Sequence, residues 1–404
     1  MATVERREWR DAHGLLRKAW RVRWRGPDGK QKSKTFQKKA DADRFSATVA
    51  ADLIRGDYTD PEAGKVSFET YAKQWLKAQT FDELTREAVE LRLRLKAYPH
   101  LGELSLNTIK PSTIQAWLRT LDDLASTYRA VIFANVSTVF TAAVDDKLLA
   151  ENPCKAKSVR RPKPDPRKVI PWRRERVIAV RDRLPEPYPL VVWLGAGLGL
   201  RQGEIFGLSP DDLDLEAGKV HVTRQIRVFS GNRLVFAPPK NRKICNVPLP
   251  DVVLEAINAH MTKYPPIDVT LPWVNLDGEK VTIPLLLYTR ESGALNRNYF
   301  NTFIWRPALR QVEVPAIRAN GCHALRHFYA STALHEGETI KALSEYLGHS
   351  DPGFTLRTYT HLMEGSAERT KRAIDSVFGA VTKADGNIAI EGETERDTEA
   401  DDGA

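Results

Sequence analysis

Cysteine is scarce in this chain. Three among 404 residues, Cys154, Cys245 and Cys322, stand far apart. That spacing excludes a disulfide framework and a zinc site built on cysteine pairs, and it leaves buried or inert thiols. Long apolar runs are missing as well: none approaches the roughly 20 residues that cross a bilayer. Residues 1–10 are charged where a secretion signal would carry an apolar core. No acidic cluster is spaced to hold magnesium. The expectation is a protein of the reducing cytoplasm that works without membrane, metal or cofactor.

Positive charge is plentiful. With 61 Lys and Arg against 52 Asp and Glu, the net charge is +9 and the pI is about 9.3. Such a balance favours a polyanion as partner. The hydrophobic share of 42% is that of a folded protein, and the length calls for two or three domains.

The charge is uneven along the chain. In residues 19–25, Trp20, Val22 and Trp24 alternate with Arg21, Arg23 and Arg25, the period of a half-buried strand. A Gly-Pro-Asp-Gly turn follows at Gly26, and a second basic strand runs over residues 30–36 with Lys30, Lys32 and Lys34. Ala42, Phe45, Val49 and Leu53 mark one face of a helix over residues 39–55. The expected unit, residues 1–58, is a small sheet backed by a helix, with one face carrying Arg side chains and little else. Residues 66–154 have helical periodicity throughout, opened by Ser67 as N-cap, with candidate helices over residues 91–95, 111–121 and 126–144. Residues 155–169 hold Arg160, Arg161 and five further cations among Pro162, Pro164 and Pro166, which forbids a regular element. They are either an extended basic connector lying on a nucleic acid or a plain solvated linker. Residues 170–380 form the largest unit, mixed α+β and mainly helical, with strands over 219–236 and 247–249. Residues 381–404 are acidic and poor in apolar side chains, the composition of a disordered tail.

Four short segments of the large unit carry unusual polar residues. Arg201 is the lone cation of an apolar stretch, in Gly199-Leu200-Arg201-Gln202-Gly203-Glu204. It is either a structural ion pair, with Glu204 as partner, or an anion ligand. In His323-Ala324-Leu325-Arg326-His327 the two histidines and the arginine share one helical face. Histidines four apart could hold zinc, but the arginine would repel a cation. Guanidinium beside imidazole suits a phosphate instead, one group for charge and the other for proton transfer. His349 follows Leu347-Gly348 at a helix end, ahead of a cap at Ser350 or Asp351 and of Pro352. Tyr359 lies ten residues further on.

Taken in order, these segments resemble the tyrosine recombinase (phage integrase) family, as seen in lambda-type integrases and Xer recombinases. The chain shows the family's Gly-Leu-Arg-x-Gly-Glu box at 199–204, its His-x-Leu-Arg-His box at 323–327, and its Leu-Gly-His box followed by tyrosine at 347–359. The resemblance implies that Tyr359 attacks a DNA phosphate to give a 3′-phosphotyrosine and a free 5′-hydroxyl. It further implies that Arg201 and Arg326 hold the non-bridging oxygens, that His349 adds a donor, that His323 is the base, and that Glu204 orients Arg201. The family's catalytic lysine, in a β-hairpin, matches Lys240 best, with Arg242 and Lys243 nearby.

Residues 1–58 look like an arm-type DNA-binding domain and residues 66–154 like a core-site-binding domain. The implied DNA contacts are Arg21, Arg23, Arg25, Lys30, Lys32, Lys34, Arg160 and Arg161. Implied partners are double-stranded attachment sites, three further copies of the chain, and possible DNA-bending and excision factors. After Tyr359, the residues Ala373, Ile374, Val377 and Phe378 form an apolar stripe that packs on its own domain or docks in a neighbour. A type IB topoisomerase, or a DNA-binding regulator without chemistry, are the competing functions.

Overall fold

The computed structural model describes residues 2–10, 15–26, 29–55, 58, 63–164, 169–359, 371, 372 and 374–376. Contacts divide the chain into two units that meet between Arg167 and Lys168, inside the proline-broken segment.

The first unit begins with strands β1 (Thr3–Arg10), β2 (Leu16–Arg25) and β3 (Gln31–Phe36), ordered β1-β2-β3 and antiparallel. The alternation of β2 does what it should: Val22 and Trp24 are buried against helix α1 (Lys39–Arg55), together with Ala42, Val49 and Tyr58. The Trp24 indole donates to the Tyr58 hydroxyl at 2.6 Å. The other face is less purely basic than expected, because β1 brings Glu5 opposite Arg21, where it also pairs with Arg23 at 3.2 Å. Strand β1 itself was not anticipated, since its residues alternate weakly and only pairing with β2 makes it a strand.

A separate helical core follows. It is built from α2 (Phe68–Ala78), α3 (Glu83–Arg92), α4 (Tyr98–Leu101), α5 (Pro111–Arg119) and α6 (Ser126–Asp145). Ser67 caps α2, its hydroxyl accepting from the Thr70 N–H at 3.3 Å, as the sequence indicated. Helix α6 corrects the reading of the apolar runs, because by length and composition it could cross a bilayer. In the fold it is the centre of this core: Ile132, Val136, Val139, Phe140 and Ala143 are fully covered. The start of the basic segment packs here too, through Val159, beside Cys154 at the end of the helical region.

The second unit contains α7 (Arg174–Arg183), α8 (Leu190–Gly197), α9 (Gln202–Phe206), strands β4 (Leu213–Asp214), β5 (Lys219–Val222), β6 (Gln225–Val228), β7 (Leu234–Ala237) and β8 (Cys245–Pro248), and helix α10 (Asp251–Lys263). A hairpin of β9 (Ile267–Pro272) and β10 (Lys280–Leu285) follows, then α11 (Arg297–Phe300), α12 (Arg306–Gln311), α13 (His323–His335), α14 (Ile340–Tyr346) and α15 (Pro352–Tyr359). Among the described residues the strands form the small sheets β4-β5-β8, β6-β7 and β9-β10. The β9-β10 hairpin was not foreseen. One apolar core spans Trp172 to Leu325, and a smaller one joins Ala330, Leu334, Leu343, Leu347 and Tyr359. All three cysteines are free and buried, and burial pushes each thiol pKa up, which leaves them inert.

Candidate active site

The turn before α9 sets the first arginine. Gly199 has φ of 66°, a conformation that suits glycine, and a β-carbon there would collide with the Tyr329 ring. The chain then enters α9 with Arg201 at its N-cap. Buried Glu204 accepts from the Arg201 backbone N–H and from its Nη1, both at 2.8 Å. The ion pair anticipated from sequence is therefore present. It does not use up the guanidinium, whose Nη2 donates to the Leu347 carbonyl at 3.1 Å.

Helix α13 supplies the second arginine from its inner face. Arg326 is only 2% exposed and donates through Nη1 to the Gly199 carbonyl at 2.7 Å and through Nη2 to the Leu347 carbonyl. Burial, followed by the nearby Arg201 charge, draws its pKa down to about 10, so it stays cationic at neutral pH. Two guanidiniums thus converge on one carbonyl oxygen.

That oxygen is available because of how α14 ends. Gly348 has φ of 59° and donates to Glu345 O, while the His349 N–H donates back to Ser344 O. This left-handed cap satisfies the preceding carbonyls and leaves the Leu347 oxygen for the arginines. A β-carbon at Gly348 would press on Cys245 Sγ at 2.5 Å.

The same turn delivers His349. Its Nε2 is 3.3 Å from Arg326 Nη2 and its Nδ1 is 2.7 Å from Thr355 Oγ1. A guanidinium only donates, so Nε2 accepts; the neutral ring carries its proton on Nδ1 and gives it to Thr355. Burial first, then the charges of Arg326, Arg201 and Lys243, hold the ring's pKa down to about 4.

Tyr359 closes α15 with its ring among the small apolar cluster and 1% of its surface exposed. Burial raises its pKa to about 12, against the lowering pull of Arg326 and Arg201. Its hydroxyl lies 2.7 Å from Nδ1 of His327. In sequence this histidine was part of a helix face suited to a phosphate, but it was not counted among the acting residues. The signal was available, since a residue four positions from His323 lies on the same helix face. His323 is exposed, its ring edge-on to His327 with centroids 4.6 Å apart. Desolvation, followed by the neighbouring His327, Arg326 and Arg201, pushes its pKa down.

The hairpin lysines differ in place. Lys240 is exposed at the start of a short turn, and no bond described here links it to the cluster. Lys243 reaches in and donates from Nζ to the His349 carbonyl at 3.0 Å. Among the expected DNA contacts, Arg21, Arg23 and Arg25 share one sheet face. Lys32 and Lys34 pair with Trp24 and Val22 and belong to the other, with Lys34 over the Phe45 ring at 4.9 Å. Lys30 and Arg160 are exposed, and Arg161 donates to the Lys155 carbonyl at 3.3 Å. Ile374 is 53% exposed, whereas Ala373, Val377 and Phe378 lie outside the described residues. The acidic tail does so as well.

Residues 176–365 match the model of the phage integrase family and residues 68–158 that of the phage integrase central domain. The chain is 26% identical over 333 residues to the integrase of Mycobacterium phage L5, covering 80% of this chain and 85% of that one. Among solved structures, it superposes on the Tn1549 transposon integrase in complex with a circular intermediate DNA with a TM-score of 0.63 and 19% identity, over 76% of this chain and 99% of the other. A lambda integrase tetramer bound to a Holliday junction matches with a TM-score of 0.54 and 14% identity, over 85% and 96% of the two chains.

Proposed function

The chain belongs to the phage integrase family of tyrosine recombinases, and from that membership we propose that its site-specific recombination of DNA runs through the cluster around Tyr359. A phosphodiester is an anion and resists an oxygen nucleophile. Holding the phosphate energy in a covalent enzyme intermediate divides the exchange into two easier steps and removes any need for ATP. Tyr359 is the proposed nucleophile, giving a 3′-phosphotyrosyl link. Arg201 and Arg326 are the proposed clamp on the non-bridging oxygens, with Glu204 fixing Arg201. His349 donates to the same oxygens once its Nε2 carries a proton, by protonation of the ring or by exchange of tautomer. His323 is the base that the family resemblance implies, and Lys240 protonates the leaving 5′-oxygen.

The observation that carries this reading is the meeting of both guanidiniums on the Leu347 oxygen. Donors gathered around one oxygen before substrate arrives need little rearrangement to accept a phosphoryl oxygen in its place.

For the wider assembly, residues 1–58 are proposed to bind arm-type sites, residues 66–154 core sites, and residues 155–169 to connect them to the catalytic unit over 170–380. Two duplexes cut on both strands require four protomers, and the exposed Ile374 supports a terminal segment that docks in a neighbour. DNA-bending proteins and an excision factor fit such an assembly, which would work on DNA in the bacterial cytoplasm. The test is a nicked suicide duplex bearing the attachment site. Tyr359→Phe removes one hydroxyl, so DNA binding should persist while the denaturation-resistant adduct disappears. An adduct formed by that variant would reject Tyr359 as nucleophile.

A further inference from the structure

The site described so far does not say where the phenolic proton goes. The family resemblance points to His323, yet the ring against the phenol is that of His327, with Nδ1 2.7 Å from the Tyr359 oxygen. The two rings are inclined at 59° with centroids 5.7 Å apart, so the contact is through the nitrogen edge rather than by stacking. His323 is exposed, with its ring edge-on to that of His327.

We propose that His327 is a further catalytic residue, the acceptor of the Tyr359 proton in cleavage and its donor in rejoining. The idea rests on Tyr359 being the nucleophile. For Nδ1 to accept, the neutral ring must carry its proton on Nε2, and the phenol then donates to it. In cleavage the Tyr359 O–H bond breaks as an Nδ1–H bond forms. The phenolic oxygen bonds to phosphorus while the bond from phosphorus to the 5′-oxygen breaks, and that oxygen takes a proton from Lys240. In rejoining each transfer reverses, and the imidazolium returns its proton to the departing phenolate.

The surroundings fit the role. Burial, then the Arg326 charge, holds the His327 pKa down to about 4, so the free ring is neutral at pH 7 and has a lone pair to offer. A phosphate held by Arg201 and Arg326 would offset the cationic part of that suppression. The base would then strengthen when substrate is in place. His323 is left free to face the phosphate.

A different role for the same contact would be a latch that keeps Tyr359 buried. The two roles differ in sign: removing a base slows cleavage, and removing a latch speeds it. The measurement is single-turnover cleavage of the nicked suicide duplex by the full chain carrying His327→Ala, His327→Asn or His323→Ala. Each is made with Tyr359 intact and with a fluorinated tyrosine at that position, introduced by nonsense suppression. Fluorination acidifies the phenol and lessens its need for a base. Both His327 variants should bind DNA normally and cleave about 100-fold more slowly or worse. Fluorination should restore about ten-fold or more in them and little in the wild type or in His323→Ala. His327→Asn, which keeps a polar atom near the Nδ1 position, carries the test if the alanine variant does not fold. Cleavage at or above the wild-type rate by the folded His327 variants overturns the proposal, and so does a loss that fluorination leaves untouched. Tyr359→Phe in the same assay separates the two ideas, because an adduct there would defeat the nucleophile assignment whatever His327 does.

Discussion

The N-terminal sheet and the catalytic cluster are both rich in cations and use them in opposite ways. On the sheet, basic side chains spread over the surface, with Arg23 on Glu5 and Lys34 above Phe45. In the cluster, Arg326 is 2% exposed and shares the Leu347 oxygen with Arg201. Exposed charges attract DNA from a distance, act one by one and are screened by salt. Buried donors fixed by their neighbours have little reach, but they offer a developing charge a finished geometry. The number of cations therefore says little about rate, whereas their burial and convergence say a great deal.

The largest effect that would sharpen this contrast is at the clamp. Arg201→Ala or Arg326→Ala should each slow single-turnover cleavage by about 100- to 1000-fold, roughly 2.7–4 kcal/mol, with affinity for the attachment site nearly unchanged. A loss confined to affinity would erase the contrast. Because Arg326 also holds the Gly199 carbonyl, its thermal midpoint should be measured beside the rate. In the same assay, Lys240→Ala should be slow on an ordinary strand and spared on a 5′-thiolate leaving group, which needs no proton.

A smaller effect follows from acid. The folded pKa values of His327 and His349 are about 4, below the ordinary value of about 6.5. As pH falls, the unfolded chain therefore takes up protons first. Their contribution to stability is complete above about pH 6.5 and is lost as pH drops toward 4. The thermal midpoint of the catalytic unit should be lower at pH 5.5 than at pH 7.5, and equal midpoints would contradict neutral rings in the cluster. The smallest effect belongs to the sheet. Arg21→Ala, Arg23→Ala and Arg25→Ala should each weaken DNA binding modestly and reduce the salt slope by about 1. The cleavage rate of already bound DNA should not change.

Much of this was legible in the sequence, for physical reasons that can be named. Helical spacing alone put Arg326 beside His323, and a Gly at a helix end announced the turn that delivers His349. Pairing of distant segments was not legible. Strand β1 exists through its register with β2, and the β9-β10 hairpin through its own pairing. The contact of Lys243 with the His349 carbonyl bridges 106 positions, and nothing local marks it. His327 was visible as a residue but not as the phenol's partner, because the end of α15 is set against α13 by tertiary packing of Leu343, Leu347 and Ala330.

Tyr359 is proposed as the residue that joins DNA, and direct mapping of the covalent link tests that most plainly. The adduct trapped on a nicked suicide duplex would be trimmed with nuclease, digested with trypsin and sequenced by mass spectrometry. The account predicts a 3′-phosphonucleotide on the peptide that follows Arg357, localised to Tyr359. The same mass carried by Tyr329 or Tyr346, or by any residue outside α15, would contradict it.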